Sequence, residues 1–241
     1  MMFDLSPEQQ AVRDRAREIA RNRVATVAAA IDESASIPDD VMRELQSLNL
    51  NAERDATSVV VSVEQIAAAS AAAGAASALR PITVRGANDA PGLRGFAAPA
   101  TVDSRTRLVF AAVALGVGRA ALDMALDVLR TTTRGSQEPE KPHWVVADAA
   151  TELEAARLIT LQAAQRIASS SEGEGLVAMA KLAATRAAEQ AVNAAVRVAG
   201  PDGYLRGALL ERLSRDIRSV SLLMGTEEEL RAAAARVVLP G

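Results

Sequence analysis

Apolar positions recur at three- and four-residue steps along most of this chain. Val12, Ala16, Ile19, Ala20, Val27 and Ile31, with charged residues between them, predict one long amphipathic helix. Ser6-Pro7-Glu8-Gln9 opens it with a capping Ser, Pro at the first helical position and Gln at the third, both halves of a capping box. Ser36-Ile37-Pro38-Asp39 breaks the pattern and starts a short second helix through Leu48; a third, more apolar helix covers 57–79. Residues 80–103 have no sustained periodicity and gather Pro81, Gly86, Asn88, Asp89, Pro91, Gly92, Gly95 and Pro99, the composition of an irregular connector. Helical spacing returns over 104–132, over 144–170 with Val146, Ala149, Leu153, Ala156, Ala163 and Ile167 on one face, over 176–199, and over 208–220. A last helix begins at the capping box of Thr226 and Glu229. A polar loop at 133–142, a turn at Ser170-Ser171-Glu172-Gly173 and a stop at Gly200-Pro201-Asp202-Gly203 separate these helices. The expected fold is all-α: an N-terminal helical domain (1–79), a connector (80–103) and a C-terminal antiparallel bundle of the four-helix type (104–241).

Composition sharpens that picture. The 241 residues are 49% hydrophobic but only 2% aromatic, so the cores must be built from Ala, Val and Leu, which favours closely packed helices. The segment 59–79 is apolar enough to raise a membrane span, but Glu64 and Gln65 interrupt it and Ala and Ser dominate it, so a buried helix is expected. A net charge of −3, with arginines interleaved among acids, supplies no field for nucleic acid. Without cysteine there are no disulfides, thiolate metal sites or cysteine nucleophiles, which fits a reducing compartment. The opening MMFDLSPEQQ is acidic and polar where an export signal needs a basic and then an apolar segment, so a cytoplasmic protein is expected.

Several blocks carry a family resemblance. Phe3-Asp4-Leu5-Ser6-Pro7-Glu8-Gln9 with Arg13, Ala16, Arg17 and Ala20, and then Ile37-Pro38 with Leu45 and Leu48, are similar to the first two helices of acyl-CoA dehydrogenases. Ala180-Lys181, Ala195-Val196-Arg197-Val198-Ala199-Gly200, Gly203-Tyr204, Glu211-Arg212, Arg215-Asp216 and Gly225-Thr226 resemble the family's C-terminal half at its own spacing. The resemblance implies two helical domains. The β-domain that stands between them in the family, closing over the flavin, is absent here: the 80–103 connector is too short to form one.

The resemblance also implies a reaction in which a carboxylate removes a proton next to the thioester and a hydride passes to FAD. In most members the base is the Glu before Gly-Thr; here that position is Met224, whose thioether is no base at neutral pH. Some members place the base at the start of the first C-terminal-domain helix, which matches Thr106, a hydroxyl that needs an activator. Glu227, Glu228 and Glu229 lie nearby, where acids at a helix start commonly stabilise its dipole. The family's Arg-x-x-Phe-Gly flavin loop is represented by Thr133-Arg134-Gly135-Ser136, without the Phe. Its Gln-x-x-Gly-Gly motif reads Arg197-Val198-Ala199-Gly200-Pro201. Arg134, Arg197 and Gly200 are therefore the remnants of a cofactor site, and FAD is not expected to bind.

Other signals reduce to packing. Gly116-Val117-Gly118 lies inside a helical pattern and marks close helix contact, not a dinucleotide loop. His143, the single histidine, is expected in a loop and excludes two-histidine metal sites; Trp144 and Tyr204 are expected to fill a core or an interface. The expected function is a non-catalytic, oligomerising or accessory homologue in acyl-CoA metabolism, a homodimer or larger, with a full-length relative as a possible partner. The alternative is an enzyme on an acyl-CoA or related acyl substrate, flavin-free or as one subunit of a mixed complex. Arg94, Arg134, Arg197 and His143 are the polar groups to test for it.

Overall fold

The computed structural model describes residues 4–51, 53–79, 91–97, 102–132, 141–167 and 171–239. Among them every regular element is helical. α1 (Pro7–Ile19) starts at the expected capping box, where the Gln9 N–H donates to Ser6 Oγ and the Ser6 N–H donates back to Gln9 Oε1. It runs through a π-helical turn (Ala20–Val24) into α2 (Ala25–Ser34), so the single long helix of the sequence pattern contains one widened turn. Ala16, Ile19, Ala20, Val24, Ala28 and Ile31 are its buried face. The short α3 (Asp39–Ser47) follows, with Val41 and Leu45 inward.

The expected helix 57–79 is two helices, α4 (Ala56–Ala69) and α5 (Ala71–Ala78). Ser70 is extended (φ −155°, ψ 119°), and its hydroxyl accepts from the Ala73 N–H, ending one helix and capping the next. The bend lets Gly74 lie against Ala67, where a Cβ would come within 2.6 Å of the Ala67 Cβ. Both flanks are apolar, so periodicity alone conceals the break.

The C-terminal half is built on α6 (Ser104–Thr132) and α8 (Ser171–Ala199), packed along their lengths. α7 (Lys141–Arg166) lies beside α8, and α4 covers another face of α6. α7 begins within the expected 133–142 loop, and α8 takes Ser171, Glu172 and Gly173, expected as a turn, into its first turn. A 3₁₀ turn (Pro201–Tyr204), α9 (Leu209–Leu222) and α10 (Glu227–Val238) complete the chain, α10 opening on the predicted Thr226–Glu229 box. One continuous apolar core runs from Ala16 to Met224 and draws on both halves.

Three devices join the halves. Gly116 admits neighbouring backbone from the N-terminal half: a Cβ there would lie 2.6 Å from the Glu64 carbonyl oxygen, while Gly118 does the same within the C-terminal half, where a Cβ would lie 3.0 Å from the Ala188 Cα. Glu64 of α4, buried at its side chain, accepts from Arg157 Nε of α7 with both oxygens at 3.0 and 3.1 Å. The third is a strap, residues 91–96. Asp216 accepts the Leu93 N–H at 2.7 Å, while Arg215 donates to the Pro91 carbonyl at 2.6 Å and pairs with Asp32 of α2 and Glu211 of α9. Gly92 is required there, because a Cβ would sit 2.2 Å from the Arg215 carbonyl oxygen. Burial pushes the Asp216 carboxyl up to about 6, against the pull of the Leu93 N–H.

Among the described residues one helix, α6, is long and apolar enough to cross a membrane, and 83% of its apolar window is buried inside the fold. α4 and α5 are also enclosed, with Ala56–Glu64 and Ala71–Ser77 buried throughout. They present no broad apolar face to solvent.

Two outcomes test this packing. Gly→Ala inside a helix ordinarily stabilises by up to about 1 kcal/mol, but Gly116→Ala should destabilise by about 1–3 kcal/mol because α4 must move away; urea unfolding reads the sign. Arg157→Met should cost about 3–5 kcal/mol by stranding the Glu64 carboxylate, and adding Glu64→Leu should recover most of that loss.

Candidate functional site

The two positions that carry a base in the resembled family meet at one corner. Thr106 lies in the first turn of α6 and Met224 in the loop joining α9 to α10. Arg107, next to Thr106, ties them together by donating from Nε to the Met224 carbonyl at 3.2 Å. Met224 is buried, with φ at 65°, and Gly225 behind it has φ 115°, so the loop turns through two left-handed residues. A Cβ on Gly225 would stand 3.7 Å from Arg107 Nε, ordinary contact.

Thr106 is committed to a helix cap. Its N–H donates to Asp103 Oδ1 at 2.7 Å and its hydroxyl also donates to that oxygen. Burial pushes the Asp103 carboxyl up, but the Thr106 hydroxyl and the Thr106 and Arg105 N–H groups outweigh it and hold it below the usual carboxylate range. An Asp so held is a weaker base than a free one. Of the nearby acids, Glu227 is exposed and pairs with Arg186 and Arg231, while Glu229 closes the α10 capping box. Both positions suit helix-start acids.

Lys181 of α8 is the group that sequence reasoning passed over as a functional candidate. Its side chain is fully enclosed, and its Nζ has no hydrogen-bond partner among the described residues. Burial first, and then the Arg107 charge, lower its pKa to about 8. The available signal is compositional: of 27 basic residues only Lys141 and Lys181 are lysines, and Lys181 falls between the buried Val177 and Ala184. On a helix apolar nearly all round, spacing alone does not tell which way a lysine faces.

The cofactor-motif residues lie elsewhere. Arg197 is exposed in the last turn of α8, at ~1.5 Å per residue about 24 Å from Lys181. It lines a cleft between α7 and α8 with Asp148, Glu152, Gln190 and Asn193. Gly200 follows the helix with φ 67° and ψ −160°, and no atom would meet a Cβ there within 4 Å. Arg134, with Gly135 and Ser136, lies outside the described residues. Arg94 is not free for a ligand, since it donates to the Asp32 and Glu33 carbonyls at the end of α2. His143 is in the first turn of α7, not in a loop, because that helix begins at Lys141. Trp144 and Tyr204 are 61% and 58% exposed, so neither fills the core of the single chain. Small alanine side chains already close that core.

Two helical parts joined by a short strap, with the base loop set against the start of a long C-terminal helix, define an acyl-CoA dehydrogenase scaffold without its β-domain. Residues 6–85 match the model for the acyl-CoA dehydrogenase N-terminal domain and 94–239 that for the C-terminal domain. The chain belongs to the acyl-CoA dehydrogenase family. It is 37% identical over 150 residues to a 3-sulfinopropanoyl-CoA desulfinase of Paraburkholderia xenovorans (strain LB400), an alignment covering 60% of this chain and 38% of that protein. It is 34% identical over 148 residues to the mitochondrial short-chain specific acyl-CoA dehydrogenase of Bos taurus, covering 60% and 36%. The matches thus span less than two-fifths of those relatives. Among solved structures, butyryl-CoA dehydrogenase from Megasphaera elsdenii superposes with a TM-score of 0.83 at 16% identity, over 99% of this chain and 100% of that one; at that identity the likeness concerns the fold.

Lys181 gives this corner a pH signature. Its folded pKa of about 8 lies below the ordinary value of 10.5, so the folded state binds fewer protons than the unfolded state between those limits. Stability from this group therefore rises as pH goes from about 8 to 10.5. Lys181→Met should flatten that slope and raise stability at pH 7 by on the order of 2–3 kcal/mol, read from urea midpoints at pH 7 and 10.

Proposed function

We propose that this chain is a non-catalytic or accessory homologue in acyl-CoA metabolism that has lost flavin binding and dehydrogenase activity and acts as an oligomer in the cytoplasm. In this reading the helical parts 1–79 and 104–241, joined by 80–103, are retained as an assembly scaffold. One observation carries it: the fold brings both family base positions to one corner, where Met224 is buried and the Thr106 hydroxyl is engaged by Asp103.

The described residues of the family's FAD motif, 197–201, do not fit it. Arg197 shares its cleft with Asp148 and Glu152, which oppose a pyrophosphate, and Pro201 has no N–H to offer one. Assembly is supported by what the single chain leaves exposed: Trp144, Tyr204 and Leu205, each near 60%, and Leu222 and Leu239 above 70%. Aromatic residues are characteristic of interface cores. A homodimer or larger assembly, or a mixed complex with a full-length relative, would cover them; neither nucleic acid nor a membrane is a partner in this reading.

The purified protein should be colourless and should not reduce a dye acceptor with short-chain acyl-CoA substrates. A flavin spectrum with turnover would overturn the reading. Sedimentation velocity at micromolar concentration should give a dimer or larger species, and a strict monomer would remove the assembly role.

A second reading is favoured by the desulfinase relatives, whose name describes chemistry other than dehydrogenation on an acyl-CoA. In it the chain is an enzyme on an acyl-CoA or related substrate, without flavin or as one subunit of a mixed complex. A thermal-shift screen with acyl-CoAs and free CoA distinguishes them, since only a ligand that binds the folded state raises its midpoint.

A further inference from the structure

On the face where α7 and α8 run side by side, three charged groups stand without partners. Asp148 and Glu152 of α7 and Arg197 of α8 line one cleft, are exposed and, among the described residues, belong to no ion pair. Their neighbours on the same helices do pair: Arg157 of α7 with Glu64, and Arg186 of α8 with Glu227 of α10. At the end of the cleft that Val145 and Arg197 line stands Trp144, the single tryptophan of the chain, 61% exposed. An indole left in water forgoes the burial of about 150–250 Å² that such a ring brings to a core or an interface.

The cleft has the chemistry of an indole site. Its volume is about 530 Å³, and clefts of that size hold ligands larger than one ring. Val145, Ala149 and Ala194 give it an apolar wall, and Arg197 offers a guanidinium to the ring face. The carboxylates, with Gln190 and Asn193, offer acceptors to the indole N–H. Charge is sorted across the cleft, acids on the α7 rim and the cation on the α8 rim. A two-fold axis running along the cleft lays the α7 rim of each copy on the α8 rim of the other, so the acids meet Arg197 twice and each Trp144 meets the opposite cleft. The face also continues: Asn193 lines a second hollow with Tyr204, which is 58% exposed and followed by the exposed Leu205. A stable interface takes about 800 Å² from each partner, and two such rings supply about half of it.

We propose that the α7–α8 cleft is where a second copy of this chain docks, each copy seating its Trp144 in the other's cleft against Arg197, with Asp148 and Glu152 paired to the same guanidinium. The inference rests on the assembly role proposed above and names its partner and its surface. The acids that make the cleft unfit for a pyrophosphate are the groups that make it complementary to itself.

A single tryptophan makes the test direct, since the intrinsic fluorescence of the full chain reports Trp144 alone. Sedimentation velocity and tryptophan emission are followed together across a dilution series. The expected result is that dimer formation shifts the emission to shorter wavelength and lowers acrylamide quenching, all three following one binding curve. Trp144→Ala and Arg197→Glu should each weaken the dimer about tenfold or more. Both positions are exposed, so the urea midpoints of the diluted variants should match that of the parent chain. Adding Asp148→Arg to Arg197→Glu reverses the pair and should recover part of the lost affinity, which a merely structural role for Arg197 would not give. A dimer whose emission does not change on dilution, or whose affinity Trp144→Ala leaves unaltered, overturns this interface and leaves the assembly role standing. A chain that is monomeric alone and sediments as a complex only with a full-length relative overturns self-docking in favour of the mixed complex, and a strict monomer in both conditions removes the assembly role with it. A yellow, active protein that still dimerises through Trp144 would overturn the loss of flavin and leave the interface standing.

Discussion

The separation of α4 and α6 is the constraint on which the rest of the structure depends. It is set by Gly116, which lets α6 lie against the Glu64 carbonyl, and by the small residues on both helices. With so few aromatic rings the chain cannot fill a wide gap between helices, so contact area must come from close approach. Once α4 and α6 are that close, Glu64 is buried, and its carboxylate is tolerable only because Arg157 reaches it from α7. The ion pair is thus a consequence of the packing, and it joins the two halves that in relatives also have a β-domain between them.

The strap at 91–96 performs a second part of that joining. Its backbone is held by groups from both sides, Asp32 on α2 through Arg215, and Asp216 on α9 directly. The adjacent arginine and aspartate of α9 thus anchor the strap at Pro91 and Leu93. The same closure encloses α4 and α5, so the loss of the middle domain does not leave a broad apolar trough along these helices. The most exposed apolar groups lie instead at the ends of α7, α9 and α10 and in the turn after α8.

Local signals were legible where the physics is local. Both capping boxes and the long helices of the C-terminal half follow from spacing and end chemistry, and the glycines of α6 were correctly assigned to packing. Ser70 was hidden because it interrupts an alanine-rich stretch that is apolar on both sides. The π-turn was hidden because one extra residue hardly alters a three-to-four step. Met224 and Thr106 could be named from family spacing, but that they share a corner depends on Arg107, which spans 117 residues of sequence. Lys181 needed the three-dimensional packing of α6, α8 and the loop before its burial could be seen, as Asp216 needed the strap. Sequence also suggested that the two large polar aromatics would be covered, and the single chain leaves both outward.

The widened turn at 20–24 acts as a phase adjuster for the first long helix. It unwinds the helix by roughly one residue, so that Ala16 and Ile19 before it and Ala28 and Ile31 after it address the same core. A π turn takes in an extra residue without ending the helix that contains it. The N-terminal part of this scaffold therefore has built-in slack: its length can change by one residue while the cluster that holds the two halves together keeps its alignment.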